Sequence, residues 1–452
     1  MIKNLNLSLL CDFYELTMSN GYFKSNLNNK ICYFDIFFRK VPDNGGFVIV
    51  AGLEQIINYI QNLYFDDEDI DFLKKQNIFD DEFLLFLKNF RFSGDLSALR
   101  EGEIVFPYEP IISIRARACE AQLLETFLLL TLNHQSLIAT KASRICRTAK
   151  KPVFEFGARR AQGSDAAING ARAAFIGGCV STSCTLASKI YGINTSGTMA
   201  HSWVQIFDNE LEAFKKYCQL YPQNAILLVD TYDSLKGIKN AIKAFKLSFK
   251  NKTNIGIRLD SGNLSEISRK ARSMLDEADF KHCKIIASGS LDEYNIKDLQ
   301  DCPIDAYGVG EKLITSKSSP VLGCVYKLVA IEDNNQIIPK IKISENNEKI
   351  TIPADKKLYR FYDENQKAIY DKLFLKEEQI KSINAKSLQV DIFKNGKLVY
   401  NMPSLEEIKS YHQKALNSFD DDIKKLKNSK KYKVKLSHKL NTLKNKLLKE
   451  SK

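Results

Sequence analysis

The chain has 452 residues, 44% of them hydrophobic, and a formal net charge of +12. That length supports two or three lobes; no apolar run reaches the ~18 residues of a membrane span, and residues 1–12 lack the basic start, apolar centre and cleavage site of a secretory signal. Residues 421–452 carry +9 of the charge, with twelve lysines, no arginine and a single aromatic, so the body is nearly neutral and the composition argues against nucleic-acid binding.

From the N-terminus the pattern predicts a helix over 12–23, strands over 33–39 and 47–50, an amphipathic helix over 53–63 and one helical stretch over about 67–90. Strands are expected at 103–106 and 111–115, and a long helix at 118–131. From about residue 150 short apolar runs alternate with helical segments, at 153–156, 225–229, 254–257, 284–287 and 305–308. The last four start 29, 30 and 21 residues apart, the rhythm of β-α units in a parallel sheet or barrel. Each run ends in polar residues or glycine, where such folds carry chemistry. Residues 321–401 read as β-rich, with strands at 325–331, 338–343 and 388–391, and helices over 404–427 and 439–449 close the chain. The expected domains are an α/β lobe over 1–150, a catalytic β/α domain over 151–322, and over 323–452 a β-rich segment returning to the first lobe plus a lysine-rich tail. The tail's lysines read as a solvated helix face.

Five segments carry chemistry. Glu155-Phe156-Gly157-Ala158-Arg159-Arg160 follows a strand and sets guanidiniums beside an aromatic ring, suited to phosphate or carboxylate and to stacking on a flat ligand, though two arginines are also an ordinary surface pair. Gly177-Gly178-Cys179-Val180-Ser181-Thr182-Ser183 is small and hydroxyl-rich before a helix, so it is either a capped turn or a place of close backbone approach. His201, beside hydroxyls and the single tryptophan, is either structural or a nucleophile and proton carrier. Arg258 and Asp260 are two apart at a strand end and point the same way, so Asp260 serves ribose hydroxyls, Mg²⁺ or a helix cap. Ser288-Gly289-Ser290 and Gly308-Val309-Gly310 are turns able to offer N–H groups to a phosphate. No G-x-x-x-x-G-K-[ST] occurs, which disfavours a P-loop. Ten cysteines without a C-x-x-C pair, and five histidines without metal-ligand spacing, point to reduced thiols in a cytoplasmic protein and not to a zinc site.

The order CDFYELTMSNGYF, FFRKVPDNGGFVIVAGLE, EFGARRAQG, GTMAHSW, LLVDTYD, IRLDSGN and YGVGEKLITS resembles the nicotinate phosphoribosyltransferases over nearly the whole length. The resemblance implies an α/β fold: the irregular β/α barrel of type II phosphoribosyltransferases, with an α/β lobe formed by the N- and C-terminal parts, in a homodimer with shared active sites. It implies the reaction of nicotinate, 5-phosphoribosyl 1-pyrophosphate (PRPP), ATP and water to nicotinate mononucleotide, pyrophosphate, ADP and phosphate in NAD biosynthesis, with Mg²⁺ and with no nucleic-acid or membrane partner.

Carried over residue by residue, His201 is similar to the histidine phosphorylated by ATP. Phe156 resembles one face of the pyridine sandwich and Tyr14 of a second subunit the other. Arg258 and Ser183 resemble ligands of the carboxylate. Asp260 is similar to the residue of the ribose hydroxyls or the Mg²⁺ shell, and Arg159 resembles a phosphate contact. Ser288, Gly289, Gly308 and Gly310 resemble the 5′-phosphate cradle, and Arg39 and Lys40 a pyrophosphate contact across the dimer. Nicotinamide phosphoribosyltransferase is the alternative within the fold, and a non-catalytic ligand-binding descendant the alternative outside catalysis. Cys184, Cys11 and Glu311 depart from the family's usual T-S-N, T-D-L-Y and threonine.

Overall fold

A computed structural model describes residues 6–249 and 254–450. It falls into two units, one built from the chain up to Leu137 and again from Val321 onward, the other from Ile138–Pro320. The division lies inside the helix Glu125–Ala149.

In the first unit an antiparallel sheet runs in the order Gln336–Pro339, Val325–Asp333, Ile31–Phe37, Ile112–Arg117, Asp95–Leu99, Gln389–Lys394 and Lys397–Leu398. Its period-two alternation is plain in Ile112–Arg117, where Ile112, Ile114 and Ala116 are buried and the residues between them are not. The helices pack on the buried face, with the rings of Tyr59 and Phe127 stacked at 3.8 Å. A second sheet orders Ala385–Ser387, Lys356–Tyr362, Ala368–Leu375 and Val434–Leu436, the last pairing in parallel. Below it the buried Arg360 is held by Glu103 at 2.6 Å and Asp371 at 2.7 Å.

Several expectations are corrected here. The stretch 67–90 is two helices, Asp67–Lys74 and Asp81–Lys88, each capped by the aspartate before it, with Asn77 at φ 57° turning the chain between them. The helix expected at 118–131 is a short one, Ala118–Gln122, followed by the 25-residue Glu125–Ala149. The strand expected at 33–39 ends at Phe37, before Arg39 and Lys40, and the one at 338–343 ends at Pro339. The lysine-rich end is not simply a solvated helix face. It supplies the strand Val434–Leu436, and Tyr432 stacks on Phe106 at 4.1 Å while donating to Asp371 at 2.9 Å. Its last two residues lie outside the described ones.

The second unit holds six parallel strands in the order Ser181–Thr182, Val153–Glu155, Ala306–Val309, Lys284–Ala287, Ile255–Leu259 and Ala225–Leu228. Apart from the hydroxylic Ser181–Thr182 they are short, mostly apolar runs, as expected of strands covered on both faces. Ser164–Ile176, Ser234–Ser248 and Leu264–Glu277 are among the helices that connect them. No ladder joins the two edge strands among the described residues. The segment 194–200 lies against Ser181–Thr182 and reaches Ile255–Leu259. Thr195 bridges in parallel to Thr182, the Ser196 N–H donates to the Thr182 carbonyl at 2.9 Å, and Thr198 reaches the Arg258 strand. The α/β class holds, with this strap laid against the parallel sheet.

Candidate active site

Chemistry collects where the parallel strands end. Arg258 is the one partly exposed position of Ile255–Leu259, and its neighbours Ile257 and Leu259 are buried. Its Nη1 donates to Thr198 Oγ1 at 2.6 Å and its Nη2 to the Met199 carbonyl at 3.0 Å. Nε is buried with no partner. Burial lowers the Arg258 pKa below the ordinary guanidinium range, with the charges of Asp260 and Asp230 opposing that shift and Arg159 adding to it. Nε is therefore a donor that the protein itself leaves unused.

Two carboxylates stand next to it. Asp230, after Ala225–Leu228, accepts at Oδ2 from the Asp260 N–H at 2.8 Å and the Ser261 hydroxyl at 2.7 Å. Its Oδ1 is buried without a partner. Asp260 accepts at Oδ1 from the Ser288 hydroxyl at 2.5 Å. A Cβ on Gly289, at φ +91°, would lie 1.9 Å from the Asp260 carbonyl oxygen, so only glycine permits that approach. His201 opens the short helix His201–Gln205, and its Nδ1 lies 3.1 Å from Thr231 Oγ1. Asp230 and Thr231, adjacent in sequence, thus touch both Asp260 and His201.

Phe156 follows Val153–Glu155 and donates its N–H to the Val309 carbonyl at 2.8 Å. Its ring lies across Gly308, where a Cβ would fall 2.5 Å from Phe156 Cδ2. Beneath it the buried Glu155 accepts from Thr182 Oγ1 at 2.6 Å and from the Gly157 N–H. Burial pushes the Glu155 carboxyl pKa up against those hydrogen bonds. The Glu155 carbonyl takes the Ser183 N–H at 2.8 Å, which fixes the backbone of the serine-rich turn beside Phe156.

Ser288, expected in a phosphate cradle, uses both its donors within the protein. Its N–H goes to the Leu259 carbonyl at 2.8 Å and its hydroxyl to Asp260, so it supports the aspartate. Gly289 and Gly310 leave their N–H groups without a partner among the described residues. Tyr14, Arg39 and Lys40 belong to the first unit. Tyr14 is 44% exposed on the helix Phe13–Lys24, and burial together with Glu125 raises its phenol pKa. Arg39 lies 5.7 Å over the Phe37 ring with Nε buried and unpartnered. Lys40 pairs with Glu348 at 3.3 Å on the surface.

Among the described residues no group of three or more His, Cys, Asp or Glu could hold a metal. Asp230 and Asp260 are the carboxylates available to a cation that also takes phosphate oxygens. Two clefts of about 440 and 470 Å³ open on the first unit and share no residue with these strand ends. The sequence marked Asp230 only as a strand end, and passed over Thr198 and Thr231. Its one usable signal was that all three lie within the GTMAHSW and LLVDTYD segments.

Comparison with known proteins points to one family. Residues 9–133 match the nicotinate phosphoribosyltransferase (NAPRTase) N-terminal domain, 379–444 its C-terminal domain, and 138–321 the quinolinate phosphoribosyl transferase C-terminal domain. The chain is 41% identical to the nicotinate phosphoribosyltransferase of Bacillus subtilis, over 96% of this chain and 94% of that one. It is 32% identical to the enzyme of that name from Caenorhabditis elegans, over 96% of this chain and 92% of the relative. The crystal structure of human nicotinic acid phosphoribosyltransferase superposes with a TM-score of 0.84 at 25% identity, covering 97% of this chain and 100% of that one.

Proposed function

The chain belongs to the nicotinate phosphoribosyltransferase family, and from that premise we propose how its own residues carry the reaction. The reaction is phosphoribosyl transfer from PRPP to nicotinate, in NAD salvage. The pyridine nitrogen forms the bond to ribose C1 as the bond from C1 to the pyrophosphate oxygen breaks. Catalysis is then largely positioning and stabilisation of charge.

The observation that carries the assignment is the Arg258 fork: two donors are spent on the strap, and Nε has no protein partner. A carboxylate on the Nε edge makes a bidentate, charge-assisted pair. Phe156 supplies one face for the ring, and the hydroxyl of Ser183 donates to the carboxylate. Tyr14 from a second copy supplies the other face in a homodimer with shared sites. Phe13, Tyr14 and Met18, exposed together on the helix Phe13–Lys24, support that role. Arg159, with Arg39 and Lys40 from the second copy, reaches phosphate groups; the unpartnered Arg39 Nε favours this. The N–H groups of Gly289 and Gly310 take the 5′-phosphate, and Gly308 admits the Phe156 ring above it.

Asp260 receives the ribose hydroxyls, held by Ser288 and Asp230. These two aspartates fit Mg²⁺, because Asp230 Oδ1 is buried without a partner and Mg²⁺ takes one or two carboxylates beside phosphate oxygens. When bound, Mg²⁺ would offset charge on the departing pyrophosphate. His201 couples ATP. In the tautomer whose Nδ1–H donates to Thr231, 3.1 Å away, the Nε2 lone pair takes the γ-phosphoryl group and ADP leaves. Hydrolysis of that phosphohistidine after synthesis returns the imidazole. The ten thiols form no disulfide, and among the described residues no helix is long and apolar enough to cross a membrane; both support a cytoplasmic setting.

The test compares nicotinate and nicotinamide with PRPP, with and without ATP. Nicotinate is expected to saturate at lower concentration, with ATP raising the yield of mononucleotide. Thr182-Ser183-Cys184 lacks the carboxylate that would accept an amide N–H. Preference for nicotinamide would overturn the assignment. His201→Ala is expected to lose ³²P labelling from γ-labelled ATP and the ATP dependence while keeping slow uncoupled synthesis. ATPase activity unchanged in that variant would remove His201 from the role.

A further inference from the structure

Arg258 does not aim itself. We propose that Thr198 is the positioning residue that orients the Arg258 guanidinium toward the substrate's carboxylate, and is thereby a determinant of nicotinate recognition. The inference rests on the reading of Arg258 given above and adds a residue to it.

Thr198 sits midway along the strap, between the bridge at Thr195 and the helix that begins at His201. Its Oγ1 accepts from Arg258 Nη1 at 2.6 Å, and the next carbonyl, that of Met199, accepts from Nη2 at 3.0 Å. Both acceptors are taken by the two terminal nitrogens, which leaves Nε without a protein partner. Thr198 is itself clamped. The hydroxyl of Tyr217, a buried residue of Glu210–Leu220, donates to the Thr198 carbonyl at 3.1 Å. The Tyr217 ring packs edge-on against Trp203 at 5.8 Å.

An arginine side chain has several rotatable bonds, and an unpinned guanidinium pays orientation entropy each time it forms a bidentate pair. Valine at 198 keeps the shape and removes the acceptor. Nη1 then loses that partner, and the guanidinium is free to turn away from the carboxylate's position. The carboxylate then meets a fork facing the wrong way, while the PRPP contacts, which do not pass through Thr198, are untouched.

The experiment is steady-state kinetics with nicotinate and PRPP varied separately. For Thr198→Val the nicotinate KM is expected to rise about tenfold, the scale of one charge-assisted hydrogen bond, with the PRPP KM within about twofold of wild type. Thr198→Ser restores the hydroxyl and is expected to return the nicotinate KM to near the wild-type value. Arg258→Ala separates the two layers. If it raises the nicotinate KM and Thr198→Val does not, the positioning role is overturned. If Arg258→Ala itself leaves nicotinate unaffected, the reading of Arg258 fails and the inference falls with it. Equal rises in both KM values, or no rescue by serine, also overturn it. Should the valine protein not fold, Tyr217→Phe takes its place: a smaller rise confined to nicotinate supports the clamp, and an unchanged KM refutes it.

Discussion

At Gly308 a missing side chain gives Phe156 its place. An added Cβ would stand 2.5 Å from the ring, so Gly308→Ala must push the ring toward the ligand position. We expect kcat/KM for nicotinate to fall at least about tenfold at a stability cost of about 1–3 kcal/mol, read from kinetics and thermal melts on one preparation. Glu15 gives a prediction in pH. Burial raises its pKa to about 7 from 4.5, despite hydrogen bonds from Thr126 and Asp12. The folded state therefore holds a proton that the unfolded chain releases, and this group's contribution to stability declines as pH rises from about 4.5 to about 7. The fall in Tm between pH 5 and pH 8 should be smaller in Glu15→Gln; an identical slope would remove Glu15 as its source. His201, Arg258 and Asp260 stood out as candidates in the sequence because each sits in a segment of uncommon residue types. Asp230, Thr231 and Thr198 were not, because an aspartate after a strand or a threonine in a loop means little until hydrogen bonds spanning up to 60 residues are visible.

Among elements, the parallel strands were readable because strands covered on both faces are short apolar runs, and Lys284–Ala287 was located to the residue. Ser181–Thr182 was invisible: it has two residues, both hydroxylic, and owes its strand character to Val153–Glu155 beside it. Asp95–Leu99 was lost for a related reason, since an amphipathic strand opening on an aspartate reads like a turn. Composition misled at the lysine-rich end, where net charge said nothing of Val434–Leu436 or Tyr432. Tyr432→Ala should cost about 3 kcal/mol, the scale of deleting a packed aromatic, in denaturant melts. A chain truncated before Tyr432 should melt well below the full-length protein, and equal midpoints would restore the view of a dispensable tail.

For the whole molecule, two quantities test different levels. Arg360 is enclosed by Glu103 and Asp371, with Tyr432 on the latter. Arg360→Ala leaves buried carboxylates uncompensated and should cost about 3–5 kcal/mol in equilibrium unfolding. The proposed sharing of sites in a dimer predicts complementation. Tyr14→Ala and Arg258→Ala proteins, each impaired at low nicotinate, should recover part of the activity when unfolded and refolded together, because a mixed dimer holds one site with neither change. Absence of recovery, with subunit exchange confirmed by mass, would place Tyr14 outside the partner's site.

The route of the chain has a consequence for birth on the ribosome. Ile138–Pro320 is contiguous, whereas the first unit needs Ile31–Phe37 to meet Val325–Asp333 across nearly 300 residues. During synthesis the catalytic sheet can be complete while the earlier segment still waits for its partners, a long-range pairing that slows folding. Protease pulses on stalled nascent chains should find the middle of the polypeptide resistant before its beginning.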